Sequence, residues 1–113
     1  MLAFLSCLAA PALAQCVEPP PPAAVDGAAA SEDQMRNLLS DARGFISQAE
    51  IFQDCVNQEL TDARAQAAAE GHPLDPAIEM ADKARIAASQ KAQDRVGQAS
   101  NMALTAYKNA HSH

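Results

Sequence analysis

From Met35 onward the apolar side chains return at alternating intervals of three and four: Met35, Leu38, Ala42, Phe45, Ala49, Phe52 and Val56. That spacing keeps one stripe of a helix apolar, the seam by which a coiled-coil helix packs on a neighbour. After Val56 the stripe moves through Leu60, Ala63 and Ala67, as a four-residue stutter would shift it. Ser31-Glu32-Asp33-Gln34 opens the run as a capping box with acids at the helix start. Glu70-Gly71-His72-Pro73 closes it, glycine at the C-cap side and proline beyond. The pattern predicts helix 1 over residues 31–70.

Asp75-Pro76 restarts the chain, aspartate as N-cap and proline at the first helical position. Ile78, Ala81, Arg85, Ala88, Ala92, Val96, Ala99, Ala103, Ala106 and Ala110 then follow at helical spacing. They predict helix 2 over 76–109, with His111-Ser112-His113 fraying. A loop as short as 71–75 makes the two helices antiparallel neighbours. The expected fold class is all-α, an antiparallel two-helix hairpin of long, Ala-rich, coiled-coil-like helices. Folding at His72-Pro73 sets Leu38 against Ala106, Ala42 against Ala103, Phe45 against Ala99, Ala49 against Val96, Phe52 against Ala92 and Val56 against Ala88. Large residues then meet alanines, which lets helices approach closely. Charge agrees with this pairing. Helix 1 is acid-rich, and helix 2 carries Lys83, Arg85, Lys91, Arg95 and Lys108.

Ahead of the helices, residues 15–30 contain four consecutive prolines, Pro19 to Pro22, and a turn signal at Asp26-Gly27. Such a run cannot enter a helix interior and favours an extended polyproline II segment. Cys16 lies at its far end and Cys55 lies in helix 1. Cys55 is about 36 Å along the helix from Ser31, and the fifteen residues between Cys16 and Ser31 span about 46 Å as polyproline II. The segment is therefore long enough to double back along helix 1, and a structural Cys16–Cys55 disulfide is expected. A redox or metal pair would want C-x-x-C spacing instead. On this reading Gly44, eleven residues before Cys55 on the same face, lets the strand approach closely.

Residues 1–14 form an address. MLAFLSCLAA is apolar and too short to span a bilayer, Pro11 breaks it, and Ala12-Leu13-Ala14 offers a signal-peptidase site. Cleavage is expected before Gln15, leaving the mature chain an even pair of cysteines, as an oxidising periplasmic or secreted setting would require. No Lys or Arg precedes the apolar run, which a start codon assigned too far downstream would explain. Two rivals are a retained N-terminal anchor and lipidation of Cys16 in a lipoprotein-like box. Gln15, where that box needs a small residue, argues against lipidation.

Composition narrows the function. The chain has 113 residues, a formal charge of −6, 49% hydrophobic residues and only 4% aromatic ones. A single thin domain follows, and the acidic balance disfavours nucleic acid and anionic lipid. No membrane span is expected once the signal is removed. His72, His111 and His113 are dispersed, and so are Met35, Met80 and Met102, which read as core fillers. No catalytic residue, cofactor or metal ligand is expected. Carboxylates lie on solvated helix faces, and neither a nucleophile elbow nor a phosphate loop is present.

Cys16, Pro19 to Pro22, Asp26-Gly27, the capped helix with Met35 and Phe45, Cys55 and the closing Tyr107-Lys108 pair follow an apolar leader. Together they resemble small exported bacterial proteins of uncharacterised function. That resemblance implies export and the disulfide, and it supplies no activity and no site residue. A likeness to small secreted lysozyme-inhibitor-like helical domains is fainter, because their richer cysteine pattern is missing. The expected role is a non-enzymatic interaction protein of the bacterial envelope, either a homo-oligomer or bound to an envelope protein partner. Leu39, Ile46, Ile51 and Ile86 fall off the seam, and pairing two hairpins into a four-helix bundle would help to cover them. The rival roles are a small metal or ligand carrier and an inhibitor of a periplasmic hydrolase.

Overall fold

A computed structural model describes residues 16–112, so the expected signal peptide lies outside the described residues. Two helices make up the hairpin, α1 (Glu32–Ala69) and α2 (Pro76–His111). The capping box forms in full. Ser31 Oγ accepts from the Gln34 N–H at 3.2 Å, and Gln34 Oε1 accepts from the Ser31 N–H at 2.8 Å. At the other end Gly71 turns left-handed at φ +83°, and the His72 and Gly71 N–H groups donate to the Ala67 and Ala68 carbonyls, both at 3.1 Å. That reciprocal pair satisfies carbonyls a helix end would otherwise leave bare. Asp75 caps α2 by accepting from the Ala77 N–H at 2.9 Å.

Helix α2 extends to His111, two residues beyond the expected end at 109. The Nδ1 of His111 lies 2.8 Å from the Tyr107 carbonyl oxygen, and its ring sits 4.2 Å from the Tyr107 ring, centroid to centroid. Those contacts hold the last turn of α2 through His111, with Ser112 as the C-cap residue.

On α1 the heptad seam is buried as expected, from Met35 through Val56 to Leu60 and Ala67. On α2 the expected seam is corrected. Ile78, Ala81, Arg85, Ala88, Ala99 and Ala110 are exposed, and Ala92 and Ala106 are half-buried. The inner stripe is Asp82, Ile86, Ser89, Gln93, Val96, Ser100, Ala103 and Tyr107, all half-buried or buried. It too repeats by fours and threes, but α2 is rotated so that Ser89 and Ser100 replace Ala88 and Ala99. Polar residues can take these positions because each finds a partner. Gln53 Nε2 donates to Ser89 Oγ at 3.0 Å and to Gln93 Oε1 at 2.8 Å, and Gln93 Nε2 donates to the Ile46 carbonyl at 3.2 Å. Ser100 Oγ donates to the Val96 carbonyl at 2.7 Å. Among the described residues no buried side-chain polar atom lacks a partner, so the cost of an unpaired buried group is avoided.

The axial register is close to the expected one. Leu38 shares an apolar cluster with Ala103, and Ala49 shares one with Val96. Arg64 pairs with Glu79 across the helices, and Arg85 pairs with Glu59 at 3.4 Å. Glu59–Arg85 follows the acidic-on-basic reading and Arg64–Glu79 runs the other way, and as exposed pairs each contributes little energy. Leu39, Ile46 and Ile86 are half-buried, while Ile51 remains 57% exposed.

The strand doubles back along α1 from a turn at Asp26. Asp26 Oδ1 accepts from the Ala28 N–H at 3.1 Å, and the Asp26 carbonyl accepts from the Ala29 N–H at 3.2 Å. Val25 and Ala30 pack with Met35, Leu38 and Ala103, tying the turn to both helices. Cys16 and Cys55 stand at disulfide distance, with Cα atoms 5.6 Å apart. The role expected of Gly44 belongs to Gly27. A Cβ at Gly44 would meet nothing within 4 Å, whereas one at Gly27 would fall 2.6 Å from the Ala103 carbonyl carbon and 2.9 Å from its Cα. The close approach is therefore strand turn against α2 backbone, not strand against α1.

Candidate functional site

Burial on α2 runs against polarity. Ser89 and Ser100 are inside at 2% and 7% exposure, while Met80 and Met102 stand outside at 71% and 73%. The two methionines are therefore surface residues and not the core fillers expected of them. With them on the outside lie Ala77, Ala81, Ala84 and Ala88, again spaced by fours and threes. At 100° per residue this second stripe lies roughly a third of a turn from the buried one. Lys91 and Arg95 interrupt it before Ala99 and Met102 continue it. Buried serines on one face beside an exposed apolar stripe on the next are the informative departure from ordinary surfaces.

The strand covers part of this side of the hairpin and leaves two openings. One, about 440 Å³, lies between Pro19–Pro22 and α1 at Asp41, Gly44 and Gln48. Gly44, having no side chain, helps to open that gap. The other, about 210 Å³, lies beyond Pro22, where the strand crosses toward α2. Toward Cys16 the strand follows α1, and the Ala77–Ala88 stretch of α2 stays exposed.

Ligating side chains converge at one place among the described residues. The sulfurs of Cys16 and Cys55 and a carboxylate oxygen of Glu59 all lie within 4.8 Å of one another, each residue half-buried. Thiolates and a carboxylate are metal-binding types. Here, however, the sulfurs are at bonding distance from each other, and Glu59 is engaged by Arg85 at 3.4 Å. The arrangement is a covalent clamp beside an ion pair, and a pair at disulfide distance suits an oxidising environment. The other candidate ligands stand apart. His72 sits in the hairpin loop, 3.0 Å from Glu70, and His111 packs on Tyr107 at the far end of α2. Met35 is in the core, and His113 lies outside the described residues.

Electrostatic perturbation centres on the loop end of the hairpin. The Arg64 guanidinium hydrogen-bonds Glu79, Lys83 adds a second bond at 3.4 Å, and together they hold the Glu79 carboxyl below its ordinary range. This is a cross-helix clasp on an exposed face, and it does not poise a carboxyl for proton transfer. No helix among the described residues is long and apolar enough to cross a membrane. No protein-family model matches the chain, and neither does any curated protein or solved structure.

The outer face of α2 is hard to read in the sequence because Ala81, Ala88 and Ala99 also fit the spacing of the expected inner seam. A signal for the correct choice was present. Ser89, Gln93, Val96, Ser100, Ala103 and Tyr107 keep heptad spacing as well, and Gln53 on α1 offers the matching amide.

Proposed function

We propose that this chain is a non-enzymatic interaction module exported to an oxidising compartment of a bacterial envelope, where a second helical surface docks on the outer face of α2. In the simplest case that surface is another copy of the chain. The supporting observation is the exposed stripe Ala77, Ala81, Ala84 and Ala88 with Met80 near it. Alanines at heptad spacing let a second backbone come close, as in the contact α1 already makes. The apolar leader at residues 1–14 and the cysteine pair support the periplasmic or secreted address.

Sedimentation velocity over a range of concentrations tests self-association. The expected result is a dimer that Ala84→Glu with Ala88→Glu converts to a monomer of unchanged helicity. Both positions are solvent-facing in the single chain, so their substitution spares the hairpin core. A monomer at every concentration would refute self-association.

A further inference from the structure

Where the strand crosses from α1 to α2, the cleft of about 210 Å³ is walled by Pro22 to Val25, Leu38 of α1, and Val96 and Ala99 of α2. Arg95 is the one charged residue that lines it. Small prolines and alanines form the strand wall, and that is why the space stays open. Of the other α2 cations, Lys83 pairs with Glu79 and Arg85 with Glu59 and Asp82, while Lys91 and Lys108 are in no ion pair among the described residues and do not line the cleft. None of the ion pairs among the described residues uses Arg95. A guanidinium at the edge of an apolar cleft calls for a ligand with an anionic head and a short apolar tail. Its fork geometry matches a carboxylate, which it can bind through two parallel N–H donors.

Size limits the tail. An apolar cavity of about 150 Å³ accommodates a six-carbon ring, so this cleft holds a tail of about that size and is too small for a drug-sized molecule. We propose that the cleft binds a small apolar monocarboxylate, with the acid on Arg95 and the tail against Val25, Leu38 and Val96. A free short-chain acid and the apolar C-terminal residue of a peptide share this chemistry. One wall belongs to the strand, which is held by the packing of Val25 and Ala30 at the turn and by the Cys16–Cys55 pair at its far end.

Titration of the disulfide-intact protein, followed by methyl resonances of Val25, Leu38 and Val96, tests the proposal. The probes are hexanoate, N-acetyl-leucine and 1-hexanol. Saturable shifts are expected with the two acids, and whichever acid binds tighter assigns the source. Hexanol, without the head group, and Arg95→Gln should each weaken binding about tenfold or more, the size expected for losing a charge-assisted bond. Arg95→Lys should restore part of it, and Cys16→Ser with Cys55→Ser, which frees the far end of the strand, should weaken it while the helical spectrum persists. Absence of saturable shifts, or hexanoate affinity unchanged in Arg95→Gln, would overturn the proposal.

Discussion

Alanine placed at Gly27 and alanine placed at Gly44 should have opposite effects, and their contrast tests how the strand is seated. Gly44 is an exposed helical glycine whose added Cβ meets nothing within 4 Å. Alanine there removes only the glycine penalty in a helix, so Gly44→Ala should stabilise by about 0.8–1 kcal/mol. At Gly27 the added Cβ would lie 2.6 Å from the Ala103 carbonyl carbon, and that carbon belongs to helix backbone that cannot rotate away. The turn must lift instead, loosening Val25 and Ala30 from Leu38 and Ala103. Overpacking of this kind costs about 1–3 kcal/mol. Gly71 is the left-handed glycine of the chain and Gly27 is not, so the penalty at Gly27 is steric. For a domain of this size each kcal/mol moves Tm by about 4–8 °C. Melts followed by circular dichroism at one fixed protein concentration should show Gly44→Ala above the parent and Gly27→Ala below it. Fixing the concentration removes any contribution from association. A Gly44→Ala protein that melts well below the parent, with Gly27→Ala unchanged, would refute the seating described above.

Two further outcomes follow from the bridge and the clasp. Cys16→Ser with Cys55→Ser opens a loop with a sequence separation of 39, which the chain-entropy model values at about 4 kcal/mol. The denaturant midpoint should fall accordingly, and equal midpoints for the oxidised parent and the variant would show that the bridge constrains nothing. The second outcome concerns acid stability. Glu79 has its carboxyl held low by Arg64 and then Lys83, so its contribution is present above the ordinary carboxylate range and is lost as pH falls through the depressed value. Glu79→Gln should therefore flatten the acid limb of a stability-versus-pH curve and leave the shape near neutrality unchanged. An acid limb of unaltered steepness would count against the clasp.

Part of the candidate site was legible in the residues and part was not. Cys16 and Cys55 could be paired from the sequence, because the expected signal peptide removes Cys7 and the segment from Cys16 to Ser31 is long enough to reach back to Cys55. The outer face of α2 could not be read in the same way. Its alanines satisfy the same spacing rule as a core stripe, and alanine contrasts too weakly with serine for periodicity to choose between them. Arg95 and Ala99 belonged to helix 2 in any reading. Their meeting with Pro22 and Val25 depends on where the strand crosses.

What the sequence by itself determined is local. Ser31 with Gln34, Gly71 with His72, and Asp75 with Pro76 set where each helix begins or ends, because capping is decided within a few residues. A short loop then made the hairpin antiparallel and gave its axial register. Only the tertiary structure decided how α2 is rotated about its own axis. Ser89 and Gln93 turn inward because Gln53 and the Ile46 carbonyl wait for them on α1, and Gly27 seats its turn against Ala103 because no side chain intervenes. Both are contacts between residues far apart in the chain. On an Ala-rich helix with two near-equivalent stripes, such contacts supply the energy difference that local pattern lacks.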